Sequence, residues 1–165
     1  MGMSVTISAA RAQDAEKILK LQYLCYQGEA ELHGDYTIEP LTQTLDELRA
    51  DLEGGHCLVA RLGDEVVASV RGRIDASGTA TIGKLMVHPR MRRHGLGGRL
   101  LDAIETHFAQ DPAARRFQLS AGGRKDGDTR LYRSRGYAPV VSGDTRLDLL
   151  TLEKPATAGT FVASA

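Results

Sequence analysis

Apolar and polar residues follow two different periods along this chain, and each period predicts one kind of element. Apolar residues recur every three to four positions over Leu96–Gln110, which predicts an amphipathic helix. Period-two alternation and short apolar runs bounded by Gly, Asp or Pro predict strands. The predicted strands are Val5–Ser8, His56–Leu62, Glu65–Ile74, Thr79–Val87, Arg116–Ala121, Tyr137–Val141 and Arg146–Glu153.

Capping residues place three further helices. Asp14 is the predicted N-cap of a helix to about Gln27, and Thr44 with Glu47 has capping-box spacing in a helix from Leu41 to the Gly54-Gly55 pair. A short helix over Thr129–Arg135 is closed by Gly136.

The element order is therefore β-α-α-β-β-β-α-β-α-β-β, which predicts an α/β (α+β) layer fold. Four helices pack on a mixed, mostly antiparallel sheet of about seven strands. We expect one domain over residues 1–154 and a loosely held tail of small residues over 155–165.

Charge is unevenly distributed although it cancels overall. The 165 residues carry 21 basic and 21 acidic side chains, but residues 1–75 hold 13 acidic and 7 basic ones. An acidic half argues against a general nucleic-acid coat, and the basic half suggests a local anionic ligand. No apolar window is long enough for a membrane span and no secretory signal is visible, so a cytoplasmic protein is expected. Cys25, Cys57 and the scattered histidines show no metal-site spacing, so no metal is expected.

The segment most informative about chemistry follows the fourth predicted strand. From Lys84 to Leu101 there are five basic residues and no acid, with glycines at 95, 97 and 98. A strand, a tight loop and a helix N-terminus with close backbone approach predict a phosphate or pyrophosphate site. The segment lacks both the closing Gly-Lys-Ser/Thr of a P-loop and the spacing of the dinucleotide fingerprint.

Two motifs resemble those of one enzyme family. Arg92-x-x-Gly95-x-Gly97, preceded by Val87-x-Pro89, resembles the coenzyme A signature of the GCN5-related N-acetyltransferase (GNAT) superfamily. The block Leu131–Tyr137 is similar to the later LYxxxGF/Y motif of that family. The resemblance covers residues 4–153 and implies the acyl-CoA N-acyltransferase fold, with acetyl-CoA as co-substrate.

The resemblance also implies roles for particular residues. Backbone groups of Met86 and Val87 would hold the pantetheine arm, between two splayed parallel strands, and the Val87 N–H would polarise the acetyl carbonyl. Tyr132 would protonate the departing thiolate, with direct transfer in a ternary complex and no acetyl-cysteine. The cofactor-binding residues implied are Met86, Val87, Arg92, Arg93, His94, Gly95, Leu96, Gly97 and Gly98.

Two departures from the family pattern leave roles open. Many members have Asn where this chain has Lys125, and an acid near the position of Lys84. The general base is therefore unassigned, with Glu31, His33 and His88 as candidates or water alone.

The acceptor is predicted from charge. In the resembled family the loop between the first two helices lines the acceptor site, and the loop predicted at Gly28–Pro40 holds Glu29, Glu31, Asp35 and Glu39. Such a loop would attract a cationic small-molecule amine, although acidic loops are commonly just solvated, and the sequence leaves both interpretations open. The alternatives are a protein lysine or N-terminus as acceptor, and a non-catalytic coenzyme A-binding regulatory domain. No nucleic acid or membrane partner is expected, and homodimers are common in the family.

Overall fold

The computed structural model describes residues 4–122, 126–140 and 149–156. Seven strands form one sheet in the order β1-β2-β3-β4-β5-β7-β6. Their bounds are β1 Val5–Ala9, β2 His56–Leu62, β3 Glu65–Ile74, β4 Thr79–Val87, β5 Arg116–Gly122, β6 Ala138–Pro139 and β7 Leu149–Pro155.

The helices confirm the predicted alternation of elements and add one short element. Their bounds are α1 Ala15–His33, α2 Glu39–Thr42, α3 Leu45–Gly54, α4 Leu96–Ala109 and α5 Asp126–Ser134. The added element is α2, a single turn with Pro40 in its first turn. None of the helices in the described residues is long and apolar enough to cross a membrane.

The sheet is mixed. β4 and β5 run parallel, with Thr79 opposite Arg116 and Ile82 opposite Leu119. The pairs β1–β2, β5–β7 and β6–β7 are antiparallel. Insertion of β7 between β5 and β6 means that the last two strands do not follow chain order across the sheet.

The chain divides into two compact units, which we describe separately. The first comprises Met1–Arg71 and Lys84–Ile104. Its core packs α1 and α3 against strand residues, with Ile18, Leu48 and Val59 fully buried. Full burial of a side chain of this size is worth about 1.5–3 kcal/mol.

The second unit comprises Gly72–Gly83 and Glu105–Ala165. Two of its glycines allow close approach. A Cβ on Gly72 would lie 2.7 Å from the ring of Phe108, and one on Gly78, whose φ is +88°, would lie 2.5 Å from the carbonyl oxygen of Ala113. Both positions therefore require glycine.

The first helix corrects two predictions. It continues through Gly28 to His33 and ends at Gly34 with φ +66°, so the predicted loop over Gly28–Pro40 is wrong in extent. An isolated glycine weakens a helix by about 1 kcal/mol but does not end it when the surrounding residues are helix formers. Asp14 occupies the N-cap position, yet its side chain caps no helical N–H.

The second predicted helix is divided, since Leu41 lies in α2 and α3 begins at Leu45 rather than at Leu41. Thr44 and Glu47 form the predicted capping box, since the Glu47 N–H donates to the Thr44 hydroxyl at 3.2 Å and the Thr44 N–H to the Glu47 carboxylate at 2.9 Å. The predicted strands over 137–141 and 146–153 correspond to the shorter β6 and to β7. Residues 141–148 lie outside the described residues, as does most of the predicted tail.

Candidate functional site

The loop between β4 and α4 has a backbone that few residue types adopt. After β4 the chain forms a 3-10 turn over Pro89–Met91, and the Arg90 N–H donates to Nδ1 of His88 at 3.1 Å. Arg93 and Gly95 then take left-handed conformations, with φ of +69° and +75°. Successive changes of backbone hand turn neighbouring N–H groups to one side, which is the geometry of an anion-binding nest.

The N-terminus of α4 continues this array of donors. The first bond inside the helix runs from the Arg99 N–H to the Gly95 carbonyl at 3.1 Å. The N–H groups of Leu96, Gly97 and Gly98 consequently have no acceptor within the helix. The Leu96 side chain is buried and holds the first turn of α4 in place, and with it these N–H donors.

Cations around the loop divide into paired and unpaired ones. Lys84 binds Glu39 and Arg90 binds Glu65, with N···O distances of 2.9 and 2.8 Å. In contrast, the described part of the chain offers no hydrogen-bond or ion-pair partner to the side chains of three arginines. These are Arg92, Arg93 and Arg99, all exposed. Unpaired positive charge beside free N–H groups favours a polyanionic ligand.

The end of β4 leads into this loop. Met86 is buried in the core of the first unit, whereas Val87 is half-buried. The His88 N–H donates to the Val67 carbonyl of β3 at 2.8 Å. Because successive residues of a strand direct their N–H groups to opposite edges, the Val87 N–H faces away from β3.

Lys84 is the one charged side chain on this part of β4. Its φ is +50°, an unusual value for a residue with a Cβ. Its ammonium lies 3.0 and 2.9 Å from the two carboxylate oxygens of Glu39 on α2. β4 contains no acidic residue, but Glu39 of α2 places a carboxylate next to the Lys84 ammonium.

The predicted acidic loop is divided among three elements. Glu29 and Glu31 lie on α1, and Glu39 lies on α2 with its charge offset by Lys84. Asp35 follows α1 and accepts bonds from the Thr37 hydroxyl and N–H, and these hold the pKa of the Asp35 carboxyl below its usual value.

A buried polar network that the sequence pattern does not reveal fixes α2. Gln22 donates to the Pro40 carbonyl at 2.9 Å and to the Gln43 side chain at 2.9 Å. Arg71 on β3 donates through Nη2 to Gln22 and Gln43, yet its Nη1 is buried with no hydrogen-bond partner among the described residues. The sequence offers one signal for it, a charged residue at position 71 directly after the uncharged run Val66–Val70 of β3.

Tyr132 lies in the second unit, near the end of α5, and is 8% exposed. The Tyr137 N–H donates to the Tyr132 carbonyl and the Gly136 N–H to the Arg133 carbonyl, at 3.2 and 3.0 Å. These two bonds, with Gly136 at φ +94°, form a Schellman motif. The block resembling LYxxxGY is therefore a helix end with defined geometry.

The structure does not single out a general base among Glu31, His33 and His88. Glu31 and His33 are exposed on the last turns of α1. His88 uses Nδ1 to cap the 3-10 turn, and it lines an open pocket of about 290 Å³ with Leu21 and Val66. Lys125 lies outside the described residues. No cluster of metal-ligating side chains occurs among the residues that the structure describes.

The cysteines differ in surroundings. The Cys25 thiol lies 3.5 Å from the Val87 carbonyl oxygen and is half-buried. Cys57 is buried beside the Ser69 hydroxyl at 3.4 Å, and its burial raises the pKa of the thiol. A raised pKa makes Cys57 a poor nucleophile.

Comparisons with solved structures show many chains of the same fold. An acetyltransferase of the GNAT family from Staphylococcus aureus aligns with a TM-score of 0.77 at 14% identity, covering 93% of this chain and 99% of that one. The PaiA N-acetyltransferase from Thermoplasma acidophilum, in complex with coenzyme A, aligns with a TM-score of 0.76 at 16% identity, covering 93% and 99%. The ribosomal-protein-S18-alanine N-acetyltransferase from Escherichia coli gives 0.74 at 16% identity, covering 93% and 94%.

The sequence itself has no significant match among curated proteins. It does match the model of the acetyltransferase (GNAT) family over residues 15–137. That range includes the loop with its unpaired arginines and the helix end at Tyr132. The chain belongs to the GNAT acetyltransferase family.

Proposed function

We propose that this protein transfers the acetyl group of acetyl-CoA directly to a primary amine, in a ternary complex. The observation that carries the proposal is the β4–α4 loop, where free N–H groups and unpaired arginines coincide in a member of this family. Coenzyme A carries a pyrophosphate and a further phosphate, which suit such a loop. The preferred acceptor is a cationic small molecule.

The donor end of the proposed site follows the chain from β4 to α4. Backbone groups of Met86 and Val87 bind the pantetheine arm, and the Val87 N–H donates to the acetyl carbonyl as negative charge develops there. The N–H groups from Arg93 to Gly98 bind the pyrophosphate. Arg92, Arg93 and His94 surround the same anion.

Tyr132 is the proposed proton donor. When the amine attacks the thioester carbonyl, the C–S bond breaks and the sulfur leaves as a thiolate. The Tyr132 hydroxyl gives its proton to that sulfur and regains one from solvent, and the amine loses its own proton to water or to one of the candidate bases. General-acid catalysis of this kind typically contributes about 10²–10⁴-fold.

The proposed acceptor site depends on the acidic side chains that no salt bridge among the described residues neutralises. Glu39 is neutralised by Lys84, so Glu31 and Asp35 are the exposed acids that attract a cation.

A peptide acceptor is the second candidate, favoured by two exposed apolar side chains in the same region. Leu32 is 73% exposed and Tyr36 is 60% exposed. A chain with a free N-terminus or lysine would cover such groups, whereas a small hydrophilic amine would leave them in water.

An acceptor screen tests the proposal. The protein is incubated with acetyl-CoA and a panel of polyamines, aminoglycosides, amino acids and peptides, and free thiol release is recorded. We expect release that depends on one acceptor class. Binding of acetyl-CoA without release on any amine would favour the regulatory alternative.

Replacing Tyr132 by Phe separates catalysis from binding. We expect kcat to fall about 100-fold because the thiolate then leaves unprotonated. The acetyl-CoA Kd, measured by calorimetry, should change by no more than about twofold because the ring is retained. Normal turnover by Tyr132→Phe would contradict the general-acid role.

Removing the exposed acids tests the charge of the acceptor. We expect the double variant Glu31→Gln, Asp35→Asn to raise the KM of a cationic amine about threefold, since each exposed charge is worth only a fraction of a kcal/mol. Asp46→Asn, on the exposed face of α3, is the matched control. An unchanged KM would point to the peptide acceptor instead.

A further inference from the structure

The ring of Tyr132 is held from one side by Tyr137. The two ring centroids lie 6.2 Å apart with an interplanar angle of 66°. Residues 132 and 137 occupy the first and last positions of the Schellman motif, where an apolar contact commonly accompanies the two backbone bonds. The Tyr137 ring therefore borders the Tyr132 ring on one side and limits how far it can tilt.

Tyr137 is itself fixed by a hydrogen bond at its far end. Its hydroxyl donates to Oε2 of Glu105, on α4, at 2.8 Å. The Tyr137 side chain is buried and that of Glu105 is mostly so. A buried phenol needs such a partner, and an ionised acceptor makes a stronger bond than a neutral one.

Lys154 on β7 completes the arrangement. Its ammonium lies 2.6 Å from Oε1 of Glu105 and donates to the Arg135 carbonyl at 2.7 Å, just before Gly136. The same ammonium stands 4.9 Å from the centroid of the Tyr137 ring, within the range of a cation–π contact. One cation thus contacts the carboxylate, the helix end and the ring.

We infer that Tyr137, Glu105 and Lys154 form a positioning set that fixes the ring of Tyr132. The inference rests on the proposed function, in which Tyr132 is the proton donor. A donor that must reach one sulfur atom loses rate when its ring can tilt, because small displacements of a reacting group are costly. In this inference the three residues act through Tyr132 and take no part in the proton transfer themselves.

The experiment uses three conservative variants of the full chain. Tyr137→Phe keeps the ring and removes its hydroxyl, Glu105→Gln removes the charge, and Lys154→Arg retains a cation. We expect kcat to fall about tenfold in Tyr137→Phe and Glu105→Gln, with an unchanged KM for acetyl-CoA, and partial recovery in Lys154→Arg relative to Lys154→Met. Glu153→Gln is the matched control, because Glu153 joins a more exposed ion pair with Arg116; it should keep normal kcat.

A double-mutant cycle distinguishes positioning from general stability. In a Tyr132→Phe background, Tyr137→Phe should reduce kcat no further. Equal loss in both backgrounds would overturn the inference. If Tyr132→Phe lowers kcat and Tyr137→Phe does not, the positioning role fails while the proposed function stands.

An NMR measurement that does not depend on turnover tests the positioning role separately from the proposed function. With tyrosine rings labelled for NMR, the Tyr132 signal is identified by its loss in Tyr132→Phe. We expect it to shift or broaden in Tyr137→Phe and Glu105→Gln and to stay in place in Glu153→Gln. An unmoved Tyr132 signal in both variants overturns the inference, whether or not an acceptor has been found.

Discussion

Arginine serves two opposite purposes in the first compact unit. At the start of α1, Arg61 forms two bonds with the Asp14 carboxylate, one of them 2.8 Å long, and Asp14 also accepts from the Arg11 N–H at 2.7 Å. Before α4, Arg92 and Arg93 have no such partner within the described residues. Pairing with Arg61 offsets the cost of burying the Asp14 carboxylate, whereas an arginine without such a partner remains available to a ligand.

The largest effect is expected from distorting the loop between β4 and α4, where Arg92 and Arg93 lie. Gly95→Val places a β-branched residue at φ +75°, a conformation that such residues strongly disfavour. The loop should abandon its left-handed turn, and acetyl-CoA Kd should rise about 100-fold or more, which corresponds to about 2.7 kcal/mol.

The matched control for that variant is Gly63→Val. Gly63 has φ +63° and, like Gly95, nothing within 4 Å of an added Cβ, but it lies in the β2–β3 turn. Both variants should melt at lower temperature and only Gly95→Val should lose acetyl-CoA. Similar losses of affinity in both would mean that the loop has no special role.

A smaller effect is expected from acid, which should weaken the stabilisation that Asp14 gains from its pairing with Arg61. The Arg61 guanidinium holds the pKa of the Asp14 carboxyl at about 2, below its usual 3.8. Because the folded pKa is the lower one, the stabilisation is present above about pH 4 and is lost as pH falls toward 2. The free energy of unfolding should include about 2 kcal/mol of this kind.

Denaturant unfolding at pH 6 and near pH 2 isolates that contribution when the wild type is compared with Asp14→Asn. The variant should be less stable at pH 6 and should lose about 2 kcal/mol less than the wild type on acidification. Asp46→Asn, which removes an exposed acid, should lose as much as the wild type. Equal acid sensitivity of Asp14→Asn and the wild type would contradict the pairing argument.

The smallest effect is expected from removing single charges in the loop between β4 and α4. Arg92→Gln and Arg93→Gln should each raise acetyl-CoA Kd about fivefold, since an exposed charge contributes about 1 kcal/mol to an anion. The effect should shrink as salt is added. Arg90→Gln, which removes a cation already bound to Glu65, should change Kd less than twofold. Stronger loss in Arg90→Gln would show that pairing does not decide which arginines bind.

Local signals predicted what lies close in the chain. The capping box at Thr44, the helix closed by Gly136 and the break between the strands that end at Leu62 and begin at Glu65 depend on a few adjacent residues, and all three are confirmed. The prediction that a loop begins at Gly28 was wrong because the helix-breaking tendency of one glycine is small compared with the helix formers around it. Pro40 similarly concealed α2, although proline fits the first turn of a helix.

Contacts across the fold could not be predicted. Lys84 with Glu39 and Lys154 with Glu105 join residues 45 and 49 positions apart, and their pairing depends on the strand order. The motif block identified Tyr132 but not Glu105 and Lys154, which contact Tyr137 and carry no local signature. The unpartnered Nη1 of Arg71 likewise follows only from packing.

The tethering of α2 has a consequence for how acceptor preference can change. Gln22, Tyr23 and Lys84 hold this turn by bonds to Pro40, Gln43 and Glu39, so its position is set from outside the segment. Tyr36, whose side chain is 60% exposed, takes part in none of these bonds, so a substitution there leaves them in place. If this region lines the acceptor site as proposed, a library of variants at Tyr36 would sample new acceptors while the bonds that hold α2 remain.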